Sequence, residues 1–171
     1  MGGWLHKGCL ATALALPVTA AYADLSVRPA DVNCVMQAAH RQQVPANVLL
    51  AIYNIEMGKN GQVVSNRNGS KDLGHFQLNS IHFGKDGLFT KMGIRQEDAL
   101  HRGCYNAHLA AYLLRLHLSE NNGQDFWTRA ANYHSKTPVH NRRYRAKLIP
   151  LAQQWANILI SQYPNVHVVR F

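Results

Sequence analysis

The stretch Val44-Pro45-Ala46-Asn47-Val48-Leu49-Leu50-Ala51-Ile52-Tyr53-Asn54-Ile55-Glu56 carries no charge until its last residue, and that residue is an acid. At helical spacing, positions 49, 52, 53 and 56 share one face, because they lie three, four and seven residues apart. So apolar a helix has to be packed into a core, and Glu56 lies on the stripe of Leu49 and Ile52 instead of on the solvated side. Acidic side chains are rarely buried without a reason. Desolvation raises a carboxyl pKa and keeps the proton on near neutral pH, which is what a general acid requires.

Helical signals dominate the rest of the chain. Asp31 is placed to cap a first helix running to about Gln42, with Val32, Val35, Met36 and Ala39 on its apolar side. Pro45 suits the first turn of the second helix and Gly58 its end. Residues 58–73 hold Gly58, Asn60, Gly61, Asn66, Asn68, Gly69, Ser70 and Asp72, which predicts a long loop or at most a small hairpin. Loops of that length in compact domains are often functional. A short helix is expected over about 74–83, then an irregular stretch from Gly84 to Gly93, with helical structure resuming at Gln96–Ala99. The strongest helix runs from about Tyr105 to Ser119, with Leu109, Tyr112, Leu113 and Leu116 at helical spacing. A helix is expected from Asp125 to Tyr133, broken off by Pro138. A last one, opened or kinked by Pro150, carries Leu151, Trp155, Ile158 and Leu159. Strand signals are sparse, and there is no repeat or low-complexity linker. The expectation is a mainly α single domain.

A chain of 171 residues is long enough for one domain with a real core. Its first 23 residues read as a signal peptide. Lys7 supplies the positive start, Leu10–Ala20 the apolar centre, and Ala21-Tyr22-Ala23 a small-x-small cleavage site before Asp24. The alternative is an uncleaved anchor, although the apolar run is short for a span that needs about 20 residues. Cys9 precedes the apolar run, which argues against a lipoprotein. Export would leave Cys34 and Cys104, an even pair suited to a disulfide; two separate buried thiols are the alternative. Closing that loop would contribute roughly 4 kcal/mol in the chain-entropy picture. The formal net charge of +9 falls by one with the loss of Lys7 and implies attraction to a polyanion. Nucleic acid, anionic lipid and cell-wall polymers all qualify on charge. Export favours the wall, so no nucleic-acid partner and no stable membrane insertion are expected. Arg142, Arg143 and Arg145 form either a patch or a solvated helix face.

Ten histidines raise the question of a metal. His75 with His82, and His134 with His140, lack compact zinc spacing, and no His-Glu-x-x-His occurs. Neither a phosphate-cradling Gly-rich loop nor a Gly-x-Ser-x-Gly elbow is present. No metal and no cofactor are expected.

Four segments in order resemble one family. The first is Leu50-Ala51-Ile52-Tyr53-Asn54-Ile55-Glu56-Met57-Gly58. The second is Asn68-Gly69-Ser70-Lys71-Asp72-Leu73-Gly74-His75-Phe76-Gln77-Leu78-Asn79. The third is Cys104-Tyr105-Asn106-Ala107-His108-Leu109-Ala110-Ala111-Tyr112-Leu113-Leu114, and the fourth is Ala131-Asn132-Tyr133-His134-Ser135-Lys136-Thr137-Pro138. Together they are similar to the lysozyme-like lytic transglycosylases of the soluble-lytic-transglycosylase type, over about Val32 to Leu148. The nearest group is the wall-cutting enzymes that accompany conjugation, type IV and type III secretion. Two departures stand out: Met57 replaces the usual Ser after the catalytic Glu, and His75-Phe76 replaces the usual Leu-Met pair.

The resemblance implies a lysozyme-like fold and a periplasmic enzyme acting on peptidoglycan glycan strands, with components of a type IV, type III or conjugative secretion apparatus as partners. It implies cleavage of the β-1,4 bond between N-acetylmuramic acid and N-acetylglucosamine, with a 1,6-anhydro end formed instead of net hydrolysis. Glu56 would be the catalytic acid and then the base. Gln77, Phe76, Asn106, Tyr133 and Asp72 are candidate substrate contacts. Gln77, Asn106 and Asp72 have a competing structural reading. Gln77 binds an N-acetyl group or supports the fold, and Asn106 binds sugar or caps its helix. Phe76 would line an apolar subsite. Tyr133 would place its hydroxyl on Glu56 or on the substrate acetamido group. Asp72 braces the loop or caps a helix near Gly74; set across the sugar from a water, it would make the enzyme an inverting hydrolase. Tyr144 and Tyr53 read as core or rim aromatics, and His75 as facing either the cleft or the surface. The alternatives to a transglycosylase are a hydrolysing muramidase and a catalytically silent wall-binding assembly protein.

Overall fold

Helix α2 (Ala46–Glu56) is the axis around which the other elements pack in the computed structural model, which describes residues 30–163 and 165–170. The expected leader at 1–23 lies outside the described residues. Val48, Leu49, Leu50, Ala51 and Ile52 have no exposed surface. Burying the larger of these side chains contributes about 1.5–3 kcal/mol each, which settles why this run is helical and central. Helix α1 (Val32–Gln42) precedes it, its first turn capped by the Asp31 carboxylate, which accepts from the Cys34 N–H at 2.8 Å.

Helix α2 ends at Glu56 and is capped by Met57, one residue before Gly58. Met57 takes the left-handed conformation, with φ 47° and ψ 28°. Gly58 is needed for a different reason: a Cβ there would lie 2.0 Å from the Gly74 carbonyl oxygen. The two chain segments therefore touch backbone to backbone at the end of α2.

The region 58–73 forms the small hairpin, extended by a third strand. Strands β1 (Val63–Ser65), β2 (Lys71–Leu73) and β3 (Leu78–Asn79) make an antiparallel sheet in that order, with Val64 opposite Asp72 and Asp72 opposite Asn79. The expected helix at 74–83 is corrected to a turn, β3 and a 3-10 helix at Ser80–Phe83. Positive φ at Gly74 (68°) and Gln77 (50°) prevents a helix from starting there. The Asn79 side chain then caps Ile81 N at 3.0 Å.

Helix α3 (Leu88–Lys91) lies inside the stretch read as irregular, followed by α4 (Gln96–His101) and the long α5 (Gly103–Ser119). Helix α6 (Phe126–Ala131) is capped by Asp125, which accepts from Thr128 N at 3.0 Å. Pro138 does not merely end the preceding segment. It occupies the first turn of α7 (Pro138–Gln162), where its missing N–H costs nothing, and Pro150 sits within that same helix.

Helix α7 packs along α2, and α1 along α5. Cys34 and Cys104 form a disulfide across the second pair, with Cα atoms 5.7 Å apart. The chain after α7 returns to the start of α2. Ala46 N–H donates to His167 O at 2.9 Å, and fully buried Asn47 exchanges hydrogen bonds with Val169 N and O, both at 3.0 Å. The buried helix start is thereby supplied by the tail with an acceptor for the Ala46 N–H and with partners for the Asn47 amide. The described architecture is the mainly α, lysozyme-like domain with one small sheet. No helix of the described residues is long and apolar enough to cross a membrane.

Candidate active site

Glu56 closes α2 at the wall of a cleft of about 700 Å³, formed between the β-sheet region on one side and the segment from Tyr133 to His140 on the other. Desolvation by burial is the main influence on its carboxyl and pushes the pKa up to about 7 from an ordinary 4.5. A hydrogen bond from Tyr144 opposes that rise, Asp72 adds to it, and Lys147 weakly opposes it. The acid is therefore about half protonated at neutral pH, able to give a proton and to take one back.

Tyr144 lies in the core, one of the two places expected of it, but its tie to Glu56 was not legible in the sequence. Its hydroxyl donates to Glu56 Oε1 at 2.7 Å across 88 positions of chain, and its ring is 5% exposed. Burial, the nearby Glu56 charge and this hydrogen bond hold its own pKa well above the usual phenol value. It is thus a donor throughout the neutral range. One sequence signal was available: Asn141, Tyr144, Leu148 and Ala152 recur at helical spacing and form the buried face of α7. A buried phenol must find an acceptor. Which acceptor required the packing of α7 on α2. The His134 ring stacks flat on Tyr144, with centroids 4.7 Å apart and planes 5° apart.

Tyr133 reaches the cleft, but its hydroxyl lies on neither Glu56 nor open space. It donates to the Phe76 carbonyl at 2.8 Å. Phe76 itself has no exposed surface and packs against Tyr53, so the expectation that it lines a sugar subsite is corrected: the ring belongs to the core. Asn106 is corrected in the same way. It is fully buried, its Oδ1 accepts from Phe76 N at 2.8 Å, and its Nδ2 donates to Leu73 O and Ala99 O at 3.0 and 2.9 Å. Both amide hydrogens and one oxygen lone pair are used inside the protein, where they fix the turn carrying Gln77. Tyr53 is partly buried and donates to Ala30 O at 3.0 Å. His75, read as facing the cleft or the surface, is buried and lies beside the Tyr53 ring. Burial lowers its pKa.

Gln77 and Asp72 do line the cleft with Glu56. Gln77 Nε2 is anchored on Gly74 O at 2.7 Å. Its carbonyl oxygen has no hydrogen bond among the described residues. Asp72 braces the sheet: Oδ1 accepts from Asn79 Nδ2 at 2.8 Å and Oδ2 from Asn66 Nδ2 at 2.9 Å. Met57 is 74% exposed and contributes nothing to the cleft wall, so the carboxyl is held from α7 and not by the residue after it. Among the described residues, no three His, Cys, Asp or Glu side chains converge as a metal site would require.

Residues 33–147 match the transglycosylase SLT domain family. The chain is 36% identical to protein IpgF of Shigella flexneri over 83 residues, which is 48% of this chain and 53% of that protein. It is 34% identical to invasion protein IagB of Salmonella typhimurium over 91 residues, 53% of this chain and 55% of that one. These matches span about half the length of the curated relatives. The family match, in contrast, runs from α1 into α7 and includes both Glu56 and the tyrosine that holds it. This chain belongs to the transglycosylase SLT domain family.

Proposed function

We propose that the protein is a peptidoglycan lytic transglycosylase that cleaves the β-1,4 bond between N-acetylmuramic acid and N-acetylglucosamine. The observation that carries this reading is the buried Glu56 carboxyl on the cleft wall, poised near pH 7 and held by Tyr144. Protonated Glu56 gives its proton to the glycosidic oxygen as the bond from C1 of the muramic acid breaks. Positive charge develops on that C1, and the C6 hydroxyl oxygen of the same sugar closes on it. The Glu56 carboxylate takes the C6 hydroxyl proton, which regenerates the acid and leaves a 1,6-anhydro end. Tyr144 supports the carboxylate that exists between the two transfers, since a hydrogen bond to a charged acceptor is stronger than one to a neutral acid.

Hydrolysis would need a second carboxylate to activate water. Asp72 is the other acid in the cleft, and both its oxygens already accept from Asn66 and Asn79. That commitment favours the one-carboxyl scheme. The finer setting, an exported enzyme that opens the wall locally for a secretion or conjugation apparatus, draws support from the relative named an invasion protein. It also draws on the predicted leader.

Mass spectrometry of peptidoglycan digested by the chain without its leader tests the chemistry. Anhydro ends from the native protein and none from Glu56→Gln are expected. Reducing ends would identify a hydrolase. An absence of product from both, or equal product from both, would overturn the assignment.

A further inference from the structure

Arg67 is a cation on the cleft wall that pairs with no acid among the described residues. It sits on the turn between β1 and β2 and lines the same cleft as Glu56. The turn is tied together from within: Asn66 N donates to Ser70 O at 2.8 Å, Ser70 N and Oγ both reach Asn68 Oδ1, and Asn66 Nδ2 bridges Ser70 Oγ and Asp72. The backbone that presents Arg67 is therefore fixed, while the guanidinium makes no ion pair or hydrogen bond among the described residues. The acid nearest in sequence, Asp72, has both oxygens occupied by amides. Glu56 is largely protonated below neutral pH. The turn thus holds a guanidinium with its donors free to pair with a carboxylate that enters the cleft.

A glycan backbone of N-acetylated sugars is neutral and has no use for such a charge. The substituent on C3 of the muramic acid does, because it carries carboxylates on the stem peptide where one is joined, or on the lactyl group itself where none is. We propose that Arg67 is a specificity-determining residue that binds a carboxylate of this C3 substituent. The inference rests on the glycan-cleaving reading given above. An arginine suits the task, since its planar fork pairs with a carboxylate through two parallel hydrogen bonds.

Binding to uncut strands separates the two ideas, because it does not depend on turnover. The chain carrying Glu56→Gln, with and without Arg67→Ala, is titrated with three soluble strands. One set bears intact stem peptides. A second has been stripped by an amidase, so that the lactyl carboxylate is free. In the third, the stem carboxylates have been converted to amides. Arg67→Ala is expected to weaken binding roughly fivefold to at least one carboxylate-bearing strand, the size of one exposed charge-assisted contact, and to leave the amidated strand unaffected. The stem-bearing and stripped strands then tell whether the peptide or the lactyl carboxylate is the partner. Arg67→Lys is expected to retain part of the affinity, and added salt to narrow the gap between native and Ala chains. Equal binding by both chains to every strand, or equal loss on all three, would overturn the inference. Selective binding of carboxylate strands by a chain whose native form cuts none of them would support Arg67 and retire the transglycosylase reading.

Discussion

Tyr144 donates its hydroxyl hydrogen to Glu56 Oε1 at 2.7 Å, joining the second turn of α7 to the last residue of α2. The contact stabilises the charged form of an acid that burial would otherwise keep neutral. Removing the hydroxyl with Tyr144→Phe is expected to push the Glu56 pKa further up. The alkaline limb of kcat against pH, which native protein should show near 7, then moves to higher pH. The carboxylate also loses a charge-assisted hydrogen bond of about 1.5–3 kcal/mol, which predicts at least a tenfold fall in kcat with little change in KM. Rates from pH 5 to 9 check both effects. Tyr133→Phe, which frees the Phe76 carbonyl and not the acid, should leave the limb in place.

Glu56 itself costs the protein stability above its ordinary titration range. Its folded pKa of about 7 exceeds 4.5, so between those values the folded state binds more protons than the unfolded state. Stability therefore falls as pH rises through that window and levels off above it. At about 1.4 kcal/mol per pKa unit, the full effect is on the order of 3 kcal/mol. Glu56→Gln lacks the penalty. It should be more stable than native protein by about that amount at pH 8 and nearly equal to it at pH 4. Denaturant unfolding at the two values measures the difference.

Asn106→Ala tests the reassignment of that residue from substrate to scaffold. The substitution leaves Phe76 N, Leu73 O and Ala99 O buried without their partner. A loss of about 3 kcal/mol or more in unfolding free energy is expected. Native-like stability with a raised KM alone would restore the sugar-binding role.

Met57→Gly should stabilise the chain by about 1 kcal/mol, because a left-handed backbone burdens a side chain with a Cβ and not glycine. The Met57 side chain is mostly solvent-exposed, so little packing is lost with it. Thermal unfolding checks the sign, and an unchanged alkaline limb would confirm that Met57 does not act on Glu56.

The course of α2 was legible because one property, an uncharged run closing on an acid, decided both its burial and the position of its carboxyl. Asp31 and the Cys34–Cys104 pair were legible for equally local reasons: a cap needs a particular side chain, and an even pair of cysteines suits a bridge. The segment 74–83 was not, since its backbone follows the positive φ of Gln77 and the demand of Asn106 for backbone partners 30 or more residues away. Pro138 misled for a related reason, as proline marks a first turn as readily as an end, and of the two readings of Pro150 the opening of a helix is excluded, since a long helix with strong tertiary packing tolerates a proline inside it. The motif residues Phe76 and Asn106 were placed near the right site but in the wrong layer. A motif preserves the frame of a cleft as well as its surface, and burial alone separates them. Tyr144 lay outside every quoted segment, and only the packing of α7 on α2 brings it to the acid.

The central claim is that Glu56 holds its proton to near neutral pH. A pH titration of protein labelled with ¹³C at the glutamate side-chain carboxyl carbon, with the Glu56 signal identified by its loss in Glu56→Gln, reads that proton directly. A midpoint near 7 is predicted. A midpoint near 4.5, the value of an ordinary solvated glutamate, would contradict the account.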